Sequence, residues 1–144
     1  MSKETIRVAS LGMGWWSDVL ADGVSRADGI EIVSCFTRSE EKRQAFAQKY
    51  NCAAASSYEE ILSDPTIQGV INTTPNSVHL ETTQQAAEAG KHIFLDKPIA
   101  NTVGEGMKIT KICQDAGVKL SIGFQRRREA QFRWVHEKVK AGDF

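Results

Sequence analysis

Short apolar runs that read as strands alternate with longer segments of helical periodicity along the whole chain, and this alternation restricts its fold more than any other feature. Ile6-Arg7-Val8-Ala9-Ser10-Leu11 is a strand cut off by Gly12 and Gly14, after which Trp16, Leu20, Val24 and Ala27 recur at helical spacing. Asp28-Gly29 breaks that helix and Glu31 to Phe36 forms a second strand. Ser39, Glu40 and Glu41 then supply an N-cap and an acidic first turn for a helix reaching Tyr50. Cys52 to Ala55 is a weak third strand, followed by a short helix that the Ser57-x-x-Glu60 capping pattern opens and Asp64-Pro65 ends. Gly69 to Thr73 makes a fourth strand, Ser77 to Ala89 a helix stopped by Gly90, and His92 to Leu95 a fifth strand. Thr102-x-x-Glu105 caps the next helix, whose Ile109, Ile112, Cys113 and Ala116 share one face before Gly117 ends it. Lys119 to Phe124 is a sixth strand, and Phe132, Val135 and Val139 mark a last helix that Gly142 ends.

Strands separated by helices pair in parallel, because right-handed crossovers place helices on both faces of the sheet. The pattern therefore predicts an α/β class, a doubly wound parallel sheet, with residues 1–144 as one domain. Eighteen basic side chains balance eighteen acidic ones, so no overall field is available to hold nucleic acid or an anionic membrane. No apolar stretch approaches the roughly 20 residues of a membrane span, and Met1-Ser2-Lys3-Glu4 runs straight into a strand. The expectation is a cytoplasmic protein with neither nucleic-acid nor membrane partners. Cys35, Cys52 and Cys113 lie far apart and read as reduced thiols, and no His, Cys or carboxylate cluster has metal-ligand spacing.

The chemistry starts at Gly12-Met13-Gly14-Trp15-Trp16-Ser17, a dinucleotide fingerprint with Ser17 in place of the third glycine. Gly12 makes the tight turn, and Gly14 lets backbone approach a pyrophosphate at a helix N-terminus. Taken alone the motif also suits a packing turn in an unrelated protein; its place between a strand and a helix is what favours a Rossmann dinucleotide-binding fold. Trp16 starts the apolar helix face, while Trp15 points toward the cofactor groove or a partner surface. Thr73-Thr74-Pro75-Asn76 and Asp96-Lys97-Pro98 end the fourth and fifth strands on the edge where open α/β sheets bind ligands.

Thr74-Pro75-Asn76 followed by His79, then Ala89-Gly90-Lys91-His92, then Asp96-Lys97-Pro98 strongly resembles the glucose-fructose oxidoreductase/inositol dehydrogenase (Gfo/Idh/MocA) family, and the resemblance covers nearly the whole chain. Two positions depart from it: Asp96 stands where the family usually has Glu, and Thr37 stands where an acidic residue ends the second strand in NAD-binding relatives. The resemblance implies hydride transfer between a nicotinamide and a hydroxyl or ketone carbon of a sugar, cyclitol or related diol. In that reading Lys97 hydrogen-bonds the reacting oxygen and helps move its proton; otherwise it is a surface lysine held by Asp96. Pro98 fixes the turn, a cis peptide or a sharp bend. His79 is either a residue near the cofactor or a capping and packing residue, and Gln125 faces the nicotinamide side. Arg126-Arg127-Arg128 reads as a solvated edge or a domain-contact surface.

The resemblance also implies a substrate domain beyond these residues and a polyol or ketone substrate, while this segment alone binds cofactor without turnover and, with apolar or basic patches exposed, is a candidate homo-oligomer. The competing reading is an NAD(P)-sensing module with no turnover. Thr37, Arg38 and Ser39 favour NADP(H) over NAD(H), since no carboxylate is there to repel a 2′-phosphate and a guanidinium is there to pair with it. Arg43 is a further candidate for that charge. The alternative is Arg38 lying over adenine in a site that also takes NAD(H).

Overall fold

All four residues of the strand Gly69–Asn72 are buried, as the centre of a parallel sheet covered on both faces must be. The computed structural model describes residues 5–143. Among them, six strands run parallel: β1 (Ile6–Leu11), β2 (Ile30–Phe36), β3 (Ala53–Ala54), β4 (Gly69–Asn72), β5 (His92–Leu95) and β6 (Leu120–Ile122). The helices are α1 (Trp15–Ser25), α2 (Glu40–Tyr50), α3 (Tyr58–Ser63), α4 (His79–Glu88), α5 (Val103–Asp115) and α6 (Ala130–Ala141). The strand order β3-β2-β1-β4-β5-β6 is the doubly wound Rossmann order, with its reversal between β1 and β4.

Register brings Phe36, Leu11, Asn72, Leu95 and Ile122 abreast at the carboxyl edge, so the residues that follow them form one rim. Ala9 and Leu11 belong to an apolar cluster with Val70, Ile93, Leu95, Ile61 and Ile109, which α3, α4 and α5 close over. Cys35 lies abreast of Ser10, whose side chain points the other way by strand alternation, and packs with Ala21, Phe46 and Ala47 of α1 and α2. All three cysteines are free. Burial and the neighbouring Cys52 thiol push the Cys35 thiol up from its ordinary value, the Cys52 contact contributing most. No helix among the described residues is long and apolar enough to cross a membrane, and no group of side chains among them could hold a metal ion.

Several local details differ from the sequence reading. The first helix stops at Ser25, because Arg26 N donates to Gly23 O and Ala27 N to Val24 O in a tightened last turn, and Ala27 is left exposed beyond the end. Thr102 and Glu105 do form the full reciprocal capping box that their spacing predicts. At α3, Ser57 Oγ accepts from Glu60 N at 3.2 Å, but the Glu60 carboxylate turns one residue further back, to Ser56 N and Oγ at 2.7 Å each. The last strand ends at Ile122, since Gly123 N donates to Leu95 O and Phe124 N to Ile122 O, which carries the chain off the sheet. Phe132, Val135 and Val139 do lie on a helix, yet α6 buries none of its residues.

Lys91 is the one buried cation among the described residues, 5% exposed, with Nζ donating to Asp64 O at 2.6 Å and Ile67 O at 2.8 Å. Desolvation holds its ammonium below the usual lysine range. It ties the connection before β4 to the start of β5, at the amino edge and away from the rim. Lys91→Met should therefore strand two carbonyls and destabilise the fold by about 2 kcal/mol, the scale of hydrogen bonds to a charged group. In a chain of this size that is a fall in Tm of roughly 5–8 °C by calorimetry, with dinucleotide affinity unchanged.

Candidate cofactor site

Gly12 is where β1 turns into the rim. Its φ is +80°, and a Cβ there would lie 2.8 Å from Thr73 O, so the turn accepts no other residue without moving backbone. Gly14 follows as the N-cap of α1 with extended backbone and no side-chain cap, which leaves the first amides of that helix available to an anion. A Cβ on Gly14 would meet no protein atom within 4 Å, so the bare backbone faces open space. Ser17, 1% exposed, donates from Oγ to Gly14 O at 2.6 Å and locks the turn on which a third glycine would only have packed.

At the end of β2, Ser39 caps α2 by accepting from Lys42 N at 3.4 Å. The Arg43 guanidinium is directed inward: Nη1 donates to Thr37 O at 2.9 Å and the group lies 5.8 Å from the Phe36 ring centroid. Arg43 thus shapes the loop, while Arg38 and Lys42 face the cavity. At the end of β4, Asn72 is fully buried and its Oδ1 accepts from Thr74 N at 3.1 Å and Thr74 Oγ1 at 2.7 Å. Thr73 Oγ1 reaches Leu11 O and Gly12 O at 2.8 and 2.7 Å, tying the β4 loop to the glycine turn.

These loops enclose a cavity of about 860 Å³ lined by Gly12, Met13, Gly14, Thr37, Arg38, Ser39, Thr73, Thr74 and Pro75. Nine of the residues singled out from sequence thus come together. Its size suits a small-molecule site, and its position at the sheet's switch point suits a nucleotide. A turn whose geometry demands glycine, an open helix N-terminus and a cationic corner without a carboxylate at Thr37 fit the pyrophosphate and adenosine of a dinucleotide.

Other residues singled out from sequence sit elsewhere. Trp15 is 77% exposed and borders a smaller groove between α1 and α2 with Lys42 and Lys49. Trp16 is half-buried, its ring centroid 5.4 Å from that of Trp15. Asn76 opens an exposed 3-10 turn over Asn76–Val78. His79 is fully buried, its Nδ1 3.1 Å from Pro98 O and its Nε2 2.9 Å from Thr74 O, so the ring offers no surface to a ligand. Lys97 is exposed on the rim beside a cis Lys97-Pro98 bond and makes no ion pair among the described residues, Asp96 included. Asp96 N donates to Asn72 O, and its Oδ1 is buried without a partner, close behind Gly123. Gln125 begins an exposed 3-10 turn, Gln125–Arg128, once the chain has left the sheet.

The cavity also has walls that sequence reading passed over: Lys42, Tyr58, Glu59, and Val78, Glu81, Thr82 and Gln85 of the fourth crossover. The last four fall at i, i+3, i+4 and i+7, a single helix face, so their spacing was available as a signal. Tyr58 Oη donates to Thr82 O at 2.9 Å, and burial pushes its phenol up from the ordinary value.

A parallel sheet in this order, with a glycine turn and an uncapped helix start at its switch point, defines a dinucleotide-binding Rossmann domain. The chain belongs to the Gfo/Idh/MocA oxidoreductase family, whose NAD-binding Rossmann fold matches residues 6–124. It is 30% identical over 96% of its length to 4-carboxy-2-hydroxymuconate-6-semialdehyde dehydrogenase of Sphingobium sp.. It is 32% identical, again over 96%, to the NADP(+) scyllo-inositol 2-dehydrogenase of Bacillus subtilis. The chain spans only 44% of the former and 38% of the latter. Among solved structures, the WlbA dehydrogenase of Bordetella pertussis, in complex with NADH and UDP-GlcNAcA, superposes with a TM-score of 0.92 at 26% identity over 99% of this chain and 41% of its own.

Proposed function

We propose that this chain is the cofactor domain of an NADP(H)-dependent oxidoreductase acting on the hydroxyl or ketone carbon of a sugar, cyclitol or related diol. A nicotinamide dinucleotide, when bound, supplies or accepts the hydride. Gly12 and Gly14 carry the backbone that receives its pyrophosphate, and Thr73, Thr74 and Pro75 wall the crevice on the β4 side. Lys97 hydrogen-bonds the reacting oxygen of the substrate and stabilises negative charge that develops on it. Asp96, Gln125 and the rest of the substrate pocket complete the site together with a second domain of the protein. The exposed apolar side chains of α6, with Trp134 58% and Val139 58% exposed, suit the seam with that domain.

The observation that carries the cofactor preference is the corner formed by Thr37, Arg38, Ser39 and Lys42, where two cations border the cavity and the β2 end bears no carboxylate. A 2′-phosphate there gains charge-assisted hydrogen bonds that a 2′-hydroxyl does not. The relatives' names point both ways, one to NADP(+) and one to NADH. Arg38→Ala should weaken NADPH binding about ten- to a hundredfold and leave NADH within about twofold, as a lost hydrogen bond to a charged group of roughly 1.5–3 kcal/mol requires. Titration of the intrinsic tryptophan fluorescence with each dinucleotide reads both constants; equal wild-type affinities would contradict the preference.

A further inference from the structure

We propose that His79 is a positioning residue, a buried strut that fixes the Lys97 turn against the loop that walls the cofactor crevice. The ring sits at the first position of α4, fully buried, and each nitrogen faces a different rim loop: Nε2 lies 2.9 Å from Thr74 O and Nδ1 3.1 Å from Pro98 O. Both partners are backbone carbonyls, so each contact holds main chain rather than a mobile side chain. Carbonyls only accept, so in either tautomer the ring's N–H is donated to one of them while its other nitrogen packs against the second.

The strut does not stand alone. Thr74 is fixed from its other side by Asn72, through Oδ1 to Thr74 N and Oγ1, and Asn72 Nδ2 donates to Thr82 Oγ1 at 2.7 Å, anchoring the same loop to α4. Thr73 in turn holds Leu11 O and Gly12 O. A continuous line of contacts therefore runs from the glycine turn through Thr73, Thr74 and His79 to Pro98. Three loops from three strands, all of which a dinucleotide and its reacting partner must touch at once, are set at one spacing by a line of contacts in which Asn72 and His79 lie behind the cavity wall. A displacement of about 1 Å between such loops is enough to lower catalytic competence greatly.

This inference rests on the crevice being the cofactor site, and the test separates the two. Dissociation constants for NADPH and NADH are measured on the 144-residue chain as wild type, His79→Phe and His79→Gln. Reductive 13C-methylation gives the lysines separate NMR signals, with that of Lys97 identified by its loss in Lys97→Arg. Expected for His79→Phe, which keeps a ring but no ring nitrogen, is about tenfold weaker binding of both dinucleotides with their ratio unchanged. The cofactor-induced shift of the Lys97 signal should shrink in the same variant, and His79→Gln, which keeps one donor group, should fall between it and wild type. A purely structural histidine would lower Tm and leave the affinity and the Lys97 shift of the folded protein intact, and that result overturns the strut. If His79→Phe does not fold, the same criteria apply to His79→Gln. A wild-type chain that binds neither dinucleotide ends the cofactor assignment and the strut together.

Discussion

Gly12→Ala should abolish dinucleotide binding and destabilise the fold, whereas Gly14→Ala should abolish most of the binding and leave the fold intact. The contrast follows from where each new Cβ goes. At Gly12 it enters a left-handed backbone and meets Thr73 O at 2.8 Å. Left-handed strain and the clash together cost about 3 kcal/mol, or roughly 10 °C in Tm for a chain of this length. At Gly14 the backbone is extended and nothing lies within 4 Å, so alanine is accepted without strain. That Cβ nevertheless projects where the pyrophosphate must approach the α1 amides. Losing two hydrogen bonds to a charged group is worth about a hundredfold or more in affinity, so Gly14→Ala should bind NADPH at least that much more weakly with an unchanged melting curve. Calorimetry and fluorescence titration on the two variants check both halves.

Lys97→Ala should lower kcat for hydride transfer by the protein that contains this chain about 10²–10⁴-fold, the range for a positioned acid–base group, while NADPH affinity changes less than about threefold. The separation is expected because Lys97 stands exposed on the rim beyond the walls of the crevice, with no ion pair among the described residues to keep it there for structural reasons. Steady-state kinetics on a panel of polyols and their ketones, paired with cofactor titrations, measures both quantities. A wild-type protein that binds NADPH but turns over none of the panel would support a sensing module instead.

Much of this was written in local sequence. The order of strands and helices followed from periodicity and caps, because Ser39, Thr102 and the glycines after helices act within one turn of chain. Gly12 was legible for the same reason: a strand, a glycine and a helix specify a turn without reference to distant residues. What needed the tertiary structure was the use of each polar group. Arg43 is one helical residue from Lys42 and equally charged, yet its guanidinium is turned onto Thr37 O while Lys42 borders the cavity. His79 was read as near the cofactor or as a packing residue; its two carbonyl partners lie 5 and 19 residues away, a pairing that no local pattern displays. Gln125 directly follows the strand expected over Lys119 to Phe124, but the ladder to β5 closes at Ile122 and the chain departs before reaching it. The apolar face of α6 has helical period but stays unburied, with the Arg126 guanidinium 5.1 Å from the Phe132 ring centroid, so its periodicity gave the helix but not its packing.

Amide chemical-shift mapping of the chain during NADPH titration would show whether the crevice between β1 and β4 receives a dinucleotide. Saturable shifts should concentrate at Gly12, Gly14, Arg38, Ser39, Thr73 and Thr74 on the carboxyl edge, with Lys91 and His92 at the amino edge silent. Shifts centred on the amino edge, or no saturable change at the glycine turn, would contradict that assignment.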